Sequence, residues 1–433
     1  MTSTSPALAK SLLHFIKVRG THLDQRCLPY HQWTSERRSI GVWPYSKVLM
    51  SRVGHAAQVG NQFAENTSQC INFGSQDYLG LAQRKELRDA VVEAVEEWGV
   101  HSAGSAILCG RTRLLLELED KIRKLLGRSE CIVFPTGWAA GFGVISGLVR
   151  GEDSVVMDAL SHNCLQEGAR HATHHVRHFA HNDLEMMRSL LSVERDRNPA
   201  GGLFVVLESL YSMDSDSPCL RNAVRIAREY EAIVILDVAH DFGAMGERGL
   251  GLLEQVGRDD EPDVIMGSFS KTFAANGGFI ACSTPVREYL ASHASPHVFS
   301  NAISPLQTAV VNRAFDLVFS QEGDALRAGL MNNIVALRSA MVSHGLEVAG
   351  TPSPIVPVFV GDEKLARLTS KHLTSHGLLA NLVEFPAVAR GRARFRFQVM
   401  ASHEAGLINS AAEIMAVCKA AAEADLRALQ GTP

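Results

Sequence analysis

Short apolar runs alternate with amphipathic stretches through the middle of the chain. The runs that predict buried strands fall at residues 131–134, 154–157, 176–179, 203–207, 232–236, 263–266 and 278–282. Helix-like segments lie between these runs, and alternation of this kind is typical of an α/β domain. The pattern therefore predicts a largely parallel sheet with helices packed on it.

The pattern is different at both ends of the chain. The first 70 residues combine a stretch that predicts a short amphipathic helix, Pro6 to Val18, with a polar segment that contains scattered aromatic residues. Beyond about residue 300, long helical stretches are followed by short strands. We therefore expect an N-terminal arm over 1–70, a large α/β domain over 71–300 and a small C-terminal α+β domain over 301–433.

Composition places the protein among ordinary globular chains. Its 433 residues are 46% hydrophobic and 20% charged, and the net charge is −4. Because there is no basic block, we expect no nucleic-acid partner, and because no apolar run reaches about 20 residues, we expect no membrane span. The N-terminus lacks the pattern of a secretory signal. The eight cysteines form no Cys-x-x-Cys pair, so we expect a reduced, cytoplasmic protein.

The main candidate for chemistry is Lys271, which closely follows the predicted strand 263–266. Alone, such a lysine is more often a solvated loop charge. A second predicted strand, however, ends at Asp237 and His240, and the carboxyl ends of neighbouring parallel strands converge on one crevice. An amine and a carboxylate brought together there suit pyridoxal phosphate, which needs a lysine that holds it as an imine and an acid beside its pyridine nitrogen.

Other residues at strand ends could complete such a site. Gly137 and Trp138 lie at a strand-to-helix turn, where free backbone N–H groups bind phosphate well, although a plain tight turn explains the same sequence. His162 follows another strand and could lie over the cofactor ring, but a lone histidine is more often a packed polar residue. Glu208 ends a third strand and, with the segment Tyr211–Asp214, could donate or accept hydrogen bonds at the ring or the substrate.

Two arginines and two histidines suggest further sites. Arg394 and Arg396 alternate along a predicted strand and should face the same side. They could bind a substrate carboxylate in bidentate fashion or lie on a solvated strand face. His171 and His175 have helical i, i+4 spacing, but no carboxylate or cysteine falls at matching positions. We therefore expect no metal site.

The motifs, taken in order, resemble those of a known family. The matching stretches are Asp77-Tyr78-Leu79-Gly80-Leu81, Ser161-His162, His181-Asn182-Asp183, Tyr211-Ser212-Met213-Asp214, Asp237-x-x-His240, Ser268-Phe269-Ser270-Lys271 and Ala393-Arg394-Phe395-Arg396. Together they resemble the α-oxoamine synthases, which are pyridoxal-phosphate enzymes of fold type I. The resemblance runs from about Ile71 to the C-terminus. It implies an α/β, fold type I transferase with a large, mostly parallel-sheet domain and a smaller α+β domain.

The resemblance also implies a role for each matching residue. Lys271 would hold pyridoxal 5'-phosphate as an imine, Asp237 would pair with the pyridine nitrogen and His162 would stack on the ring. The other implied residues are Ser212 and His240 near the 3′ oxygen, Gly137, Trp138, Ser268 and Ser270 around the cofactor and its phosphate, Arg396 at the amino acid carboxylate, and Ser300 at the phosphate of the neighbouring subunit. The position of Ser300 implies a homodimer with shared active sites.

The implied reaction is a decarboxylative condensation of a small amino acid with an acyl thioester, which gives an α-amino ketone and carbon dioxide. The acyl donor would be an acyl-coenzyme A or an acyl carrier protein. An aminotransferase or an amino acid decarboxylase of the same fold is an alternative, because both share the lysine, the aspartate and the arginine. A non-catalytic partner subunit is a further alternative, but such a subunit would be expected to lack Lys271.

Three features depart from the usual pattern of the family. Gln76 stands where members usually have asparagine, and its extra methylene would move an amide that faces the substrate carboxylate. Ala106 takes the place of an arginine, so we expect a longer or neutral acyl chain rather than a short dicarboxylic one. The N-terminal arm could cover the acyl entrance, bind a carrier protein or extend the dimer contact, and we expect the last.

Overall fold

The structure is a computed structural model that describes residues 6–61, 64–257 and 260–430. The chain divides into two compact units. The large unit consists of Asp77–Ser212 and Asp216–Ala328, and the small unit consists of Met1–Gln76, Met213–Ser215 and Gly329–Pro433. The domain boundaries expected near residues 70 and 300 remain predictions.

The elements follow one another along the whole described chain. The first part contains α1 (Pro6–Ala9), a 3₁₀ turn (Leu12–Phe15), α2 (Leu23–Ser39), β1 (Lys47–Leu49), β2 (Ala56–Asn61) and β3 (Ala64–Asn72). The middle contains α3 (Lys85–Trp98), α4 (Arg113–Leu125), β4 (Glu130–Phe134), α5 (Gly137–Leu148), β5 (Ser154–Asp158), α6 (Asn163–Ala172), β6 (Val176–Phe179), α7 (Leu184–Arg197), β7 (Leu203–Glu208), α8 (Leu220–Glu229), β8 (Ile233–Asp237), a 3₁₀ turn (Gly251–Gln255), β9 (Val264–Ser268), β10 (Gly278–Cys282), α9 (Thr284–His293), α10 (Ser295–Val298) and α11 (Pro305–Val318). The last part contains α12 (Gln321–Ser343), β11 (Glu347–Val348), β12 (Ile355–Gly361), α13 (Glu363–Ser375), β13 (Leu378–Leu379), β14 (Asn381–Val383), β15 (Ala393–Gln398) and α14 (Ala405–Gln430).

A seven-stranded sheet forms the centre of the large unit, in the order β4-β10-β9-β8-β7-β5-β6. Strands β6, β5, β7, β8 and β9 run parallel, and β10 runs antiparallel to both β9 and β4. Strands β5, β7, β9 and β10 are buried along their whole length, as expected where helices cover both faces. The predicted α/β class with a mostly parallel sheet is confirmed.

Helix α5 packs closely on this sheet because its sequence contains small residues. A methyl group at Gly141 would overlap the side chain of Cys164 on α6, and one at Gly147 would lie 2.8 Å from the side chain of Leu290 on α9. A methyl group at Gly137, the first residue of the helix, would likewise overlap the side chain of Ser268 at the end of β9. The N-terminus of α5 is therefore held at the carboxyl edge of the parallel strands.

The small unit contains two four-stranded sheets, β1-β2-β3-β13 and β11-β12-β15-β14. Every residue of β15 is buried, including Arg394 and Arg396. Arg394 Nη1 lies 2.6 Å from Asp214 Oδ1, and Arg396 Nη1 lies 3.7 Å from Met213 Sδ. Both arginines therefore face one side of the strand, as predicted, and the alternative of a solvated strand face is wrong.

The N-terminal arm folds differently from the prediction. The single helix expected over Pro6 to Val18 is wrong, because α1 and the first 3₁₀ turn are separated at Ser11, whose backbone N–H donates to His14 Nδ1 at 3.1 Å. Helix α2 was not expected. Its buried Arg37 lies 4.7 Å from the centre of the Trp33 ring, a cation–π contact that fixes the helix from within.

One helix among the described residues, α14, has the length and mean hydropathy of a membrane span. A core helix of a globular unit meets the same two criteria. Helix α14 buries Ile408, Met415 and Cys418 along one stripe and carries charged residues such as Glu413 and Lys419 elsewhere. This is the pattern of an amphipathic helix rather than that of a helix that is apolar all round.

Candidate active site

A cavity of about 250 Å³ opens in the large unit where the parallel strands end. Nine of the predicted site residues line it: Gly137, Trp138, His162, Glu208, Asp237, His240, Ser268, Ser270 and Lys271. The lining also includes Thr136, Cys164, Ala239, Met266, Asn276 and Gly277, which the sequence did not single out. The convergence expected at the strand ends is therefore present.

Lys271 is placed by the loop between β9 and β10. Phe269 and Phe273 are completely buried on either side of it. The N–H of Phe269 also donates to the Gly277 carbonyl at 3.0 Å. Because two aromatic side chains anchor the loop in the core, the lysine between them is held at the wall of the cavity.

Asp237 is the last residue of β8 and is 5% exposed. Its Oδ1 accepts a hydrogen bond from the Ala239 N–H at 2.8 Å, which fixes the carboxylate in the turn after the strand. Burial raises the pKa of Asp237, while the charge of Lys271 acts in the opposite direction. A buried carboxylate in this setting favours a cation brought into the cavity.

A second carboxyl group lies beside Asp237. Glu208 ends β7 and is paired in register with Asp237 across the parallel strands. It accepts a hydrogen bond from the backbone N–H of His162. Burial, followed by the charge of Asp237, raises the pKa of Glu208 well above its ordinary value. The cavity therefore contains two neighbouring acids in different environments.

His162 is the N-cap residue of α6 and forms part of the cavity wall. Its Nδ1 accepts a hydrogen bond from the Cys164 N–H at 3.3 Å and lies 3.0 Å from the Cys164 thiol sulfur. Capping of this kind fixes the imidazole at the start of the helix. An imidazole held in this way can pack against a flat ring.

Tyr78 supports His240 from inside the large unit. The tyrosine is fully buried, and its hydroxyl lies 2.8 Å from His240 Nδ1. Asp77 accepts hydrogen bonds from the N–H groups of Leu81 at 2.8 Å and Ala82 at 3.1 Å, so it holds the turn that carries Tyr78. The sequence showed this turn as a motif, but it contained no signal that Tyr78 lies beside His240.

The start of α5 provides a place for phosphate. Thr136 caps the helix by accepting the Ala139 N–H at 3.0 Å, and the hydroxyls of Ser268 and Ser270 lie 2.8 Å apart at the end of β9. Gly137 has room for no side chain, because a methyl group there would overlap Ser268. Helix N–H groups, hydroxyls, a buried acid and an amine are the groups that pyridoxal phosphate requires, so the cavity fits this cofactor.

Four predicted residues do not line the cavity. Ser212 and Ser300 belong to the large unit, whereas Gln76 and Arg396 belong to the small unit. Ser300 follows Phe299, a side chain that is 84% exposed. The roles of these four residues stay predictions.

In the described parts of the chain, no group of three or more histidine, cysteine, aspartate or glutamate residues is arranged to hold a metal ion.

A charged histidine lies at the end of β6 in the same unit. His181 Nδ1 is 3.0 Å from Asp158, and its Nε2 is 3.0 Å from Asp216. Burial lowers the pKa of His181, but the hydrogen bonds that its ring donates to two carboxylates outweigh burial and raise the pKa to about 10. The ring also contacts the edge of Tyr211 at 4.6 Å. His181 therefore ties the end of β5 to the loop that follows β7.

Comparison with known proteins identifies the family. The family model described as "Aminotransferase class I and II" matches residues 68–415. Serine palmitoyltransferase from Sphingobacterium spiritivorum is 31% identical over 381 residues, which cover 88% of this chain and 92% of that protein. 8-Amino-7-oxononanoate synthase from Geobacter sulfurreducens is 32% identical over 361 residues, which cover 83% and 92%. The chain belongs to the α-oxoamine synthases.

Solved structures agree with this assignment. A high-resolution structure of SPT with a PLP internal aldimine matches with a TM-score of 0.86 and 26% identity, and the match covers 93% of this chain and 100% of that one. Serine palmitoyltransferase from Sphingomonas wittichii matches with a TM-score of 0.85 over the same shares, also at 26% identity. The predicted fold type I transferase is therefore confirmed.

As an α-oxoamine synthase, the protein is an acyltransferase that depends on pyridoxal 5'-phosphate. It catalyses the decarboxylative condensation of an amino acid with an acyl thioester. These assignments confirm the predicted reaction class and the predicted cofactor.

The stability contributed by His181 should depend on pH. A histidine with a raised pKa contributes fully below its ordinary pKa of about 6.5, and the contribution is lost as the pH rises through about 10. We expect the stability advantage of the wild type over His181→Gln to fall by about 1 kcal/mol per pH unit between pH 7 and 9. Urea unfolding at several pH values measures this difference.

The control for this experiment is His174→Gln, because His174 is exposed and lies a few residues before β6. The difference in the free energy of unfolding between the wild type and His174→Gln should stay constant between pH 7 and 9. A difference between the wild type and His181→Gln that is constant from pH 7 to 9 would show that His181 is not held in the charged form.

Proposed function

We propose that Lys271, Asp237, His162 and His240 carry out the chemistry of this synthase. What supports the proposal is their common cavity, where an amine, a carboxylate and two imidazoles meet at the ends of the strands. When bound, pyridoxal phosphate supplies a ring that accepts the electron pair left on the α carbon of the amino acid. The protein has to hold that ring, keep its nitrogen charged and move one proton.

Lys271 moves the proton in this proposal. Its Nζ would hold the cofactor as an imine. As a free amine in the presence of the amino acid, Nζ would remove the α proton of the amino acid and return a proton to the product. The buried anchors Phe269 and Phe273 keep the amine in place for both steps, so no large movement of the loop is needed.

The other residues bind and orient. Asp237 keeps the pyridine nitrogen protonated, because a buried carboxylate interacts strongly with a nearby cation. His162 would pack against the ring, and His240, supported by Tyr78, would bind near the 3′ oxygen together with Ser212. Gly137, Trp138, Ser268 and Ser270 would hold the phosphate group.

Arg396 is our candidate for binding the carboxylate of the amino acid. The two arginines of β15 differ in their surroundings. Arg394 donates to Asp214 at 2.6 Å and to the Met213 carbonyl at 2.9 Å, so its charge is neutralised within the small unit. Arg396 is also buried, and its Nη1 lies 3.7 Å from the sulfur of Met213 on the same side of the strand. A guanidinium can hold a carboxylate through two parallel N–H bonds. Gln76 is the second candidate for this role.

The acyl donor is an acyl thioester of coenzyme A or of a carrier protein, with a longer or neutral acyl chain. The residue that supports this choice is Ala106, which is small and uncharged where a dicarboxylic acyl group would need a cation. We further propose a cytoplasmic homodimer in which Ser300 reaches the phosphate of the neighbouring subunit. The exposed side chain of Phe299 beside it is consistent with a covered surface in such a dimer.

The two arginines provide a matched test of substrate binding. We expect Arg396→Gln to raise the KM for the amino acid by about 10- to 100-fold, because a charge-assisted pair contributes about 1.5–3 kcal/mol. Arg394→Gln should lower the thermal stability, because Asp214 loses its partner, and should change the KM by less than about threefold. Steady-state kinetics and thermal unfolding measure both effects. Equal KM values for the two variants would contradict the assignment of Arg396.

The reaction itself can be tested by supplying glycine, alanine or serine with acyl-coenzyme A thioesters of increasing chain length. Mass spectrometry of the products and measurement of released carbon dioxide should show that amino acid consumption requires the thioester. We expect the longer acyl chains to be used in preference to succinyl-coenzyme A. Amino acid turnover that proceeds unchanged without any thioester would instead indicate an aminotransferase or a decarboxylase.

A further inference from the structure

The chemistry proposed above gives no task to Glu208, although this residue lines the cavity and is only 3% exposed. Glu208 and Asp237 are the last residues of adjacent parallel strands and are paired in register. Adjacent strands lie about 4.8 Å apart, and paired residues point to the same face of the sheet. Their carboxyl groups are therefore close neighbours in a buried environment.

Two carboxyl groups placed in this way cannot both ionise without a large electrostatic cost. Asp237 is favoured as the ionised member, because Lys271 provides positive charge near it. For Glu208, burial, the charge of Asp237 and the charge of Asp158 favour the neutral form, and they outweigh the His162 N–H and the charge of Lys271, which favour the ionised form. The groups that face Glu208 are Asp237 from β8, Asp158 from β5, the N–H of His162 before α6, Cys164 on α6, Lys271 after β9 and Tyr211 after β7.

Glu208 accepts a hydrogen bond that a neutral carboxyl group can also accept. Its carboxyl oxygen accepts the backbone N–H of His162, the residue that caps α6. The position of the imidazole therefore depends on Glu208, which holds the backbone of the residue that carries it. The carbonyl oxygen of a neutral carboxyl group also accepts an N–H, although less strongly than a carboxylate does.

We propose that Glu208 is a protonated positioning residue, whose neutral carboxyl group holds the backbone of His162 and leaves the negative charge of the pair on Asp237. The inference rests on the proposed function, because that function gives His162 and Asp237 their roles. Glutamine has the same shape and no charge. Glu208→Gln should therefore reproduce the wild-type site, whereas Glu208→Ala should lose the contact with His162.

The proton on Glu208 can be detected without the cofactor. In the unfolded chain a glutamate ionises near pH 4.3, so a residue that is neutral in the fold loses stability as the pH rises. For the apo-protein, we expect the unfolding constant of the wild type relative to Glu208→Gln to rise about tenfold per pH unit between pH 5 and 7. Urea unfolding of both proteins at these pH values measures the ratio.

Glu194→Gln is the matched control, because Glu194 is a buried glutamate of the same unit that is paired with Arg177 and Arg197. Its hydrogen bonds outweigh burial and lower its pKa, so its ratio to the wild type should stay constant between pH 5 and 7. A constant ratio for Glu208→Gln over this range would overturn the proposal, because Glu208 would then be ionised in the fold.

The holoenzyme provides an independent readout. We expect Glu208→Gln to keep kcat/KM within about threefold of the wild type and to keep the circular dichroism of the bound cofactor. Glu208→Ala should lose at least tenfold in kcat/KM and change that signal. A loss of kcat/KM in Glu208→Gln as large as that in Glu208→Ala overturns the proposal. If the alanine variant does not fold, the kcat/KM of the glutamine variant and the unfolding ratio decide.

Full activity of Asp237→Asn would instead refute the proposed function, and the unfolding ratio would still test the proton on Glu208.

Discussion

The site depends on one constraint, which is that parallel strands bring their last residues to the same edge of a sheet. Glu208, Asp237 and Ser268 are the final residues of β7, β8 and β9, which are neighbours in the sheet. Helix α5 begins at that edge because Gly137 allows its backbone to approach Ser268. The order of the strands therefore creates the site, and no single residue would form it alone.

The same edge concentrates buried charge, and the large unit balances that charge locally. His181 lies between Asp158 and Asp216, and its proton is retained to high pH because both carboxylates accept hydrogen bonds from it. Asp237 faces the positive charge of Lys271. A buried anion held in this way is costly to leave without a cation, which suits a site that must keep a ring nitrogen protonated.

The sequence was informative wherever chemistry follows directly from a strand. A buried parallel strand is a continuous apolar run, so its end is visible, and Lys271 and Asp237 could be found there. Tyr78 and Cys164 were missed because their closeness to the site histidines results from tertiary packing. Helix α2 was missed for another reason: its buried face contains Arg37 where an apolar residue is expected, so the sequence shows no helical period.

The most direct test is to locate the covalent attachment of the cofactor. Borohydride reduction of the holoenzyme fixes pyridoxal phosphate on the amine that holds it, and mass spectrometry of the peptides then finds the modified residue. The modification is predicted on the peptide that contains Lys271. Modification of a different lysine, or none in protein that retains one cofactor per chain, would contradict the assignment of the site.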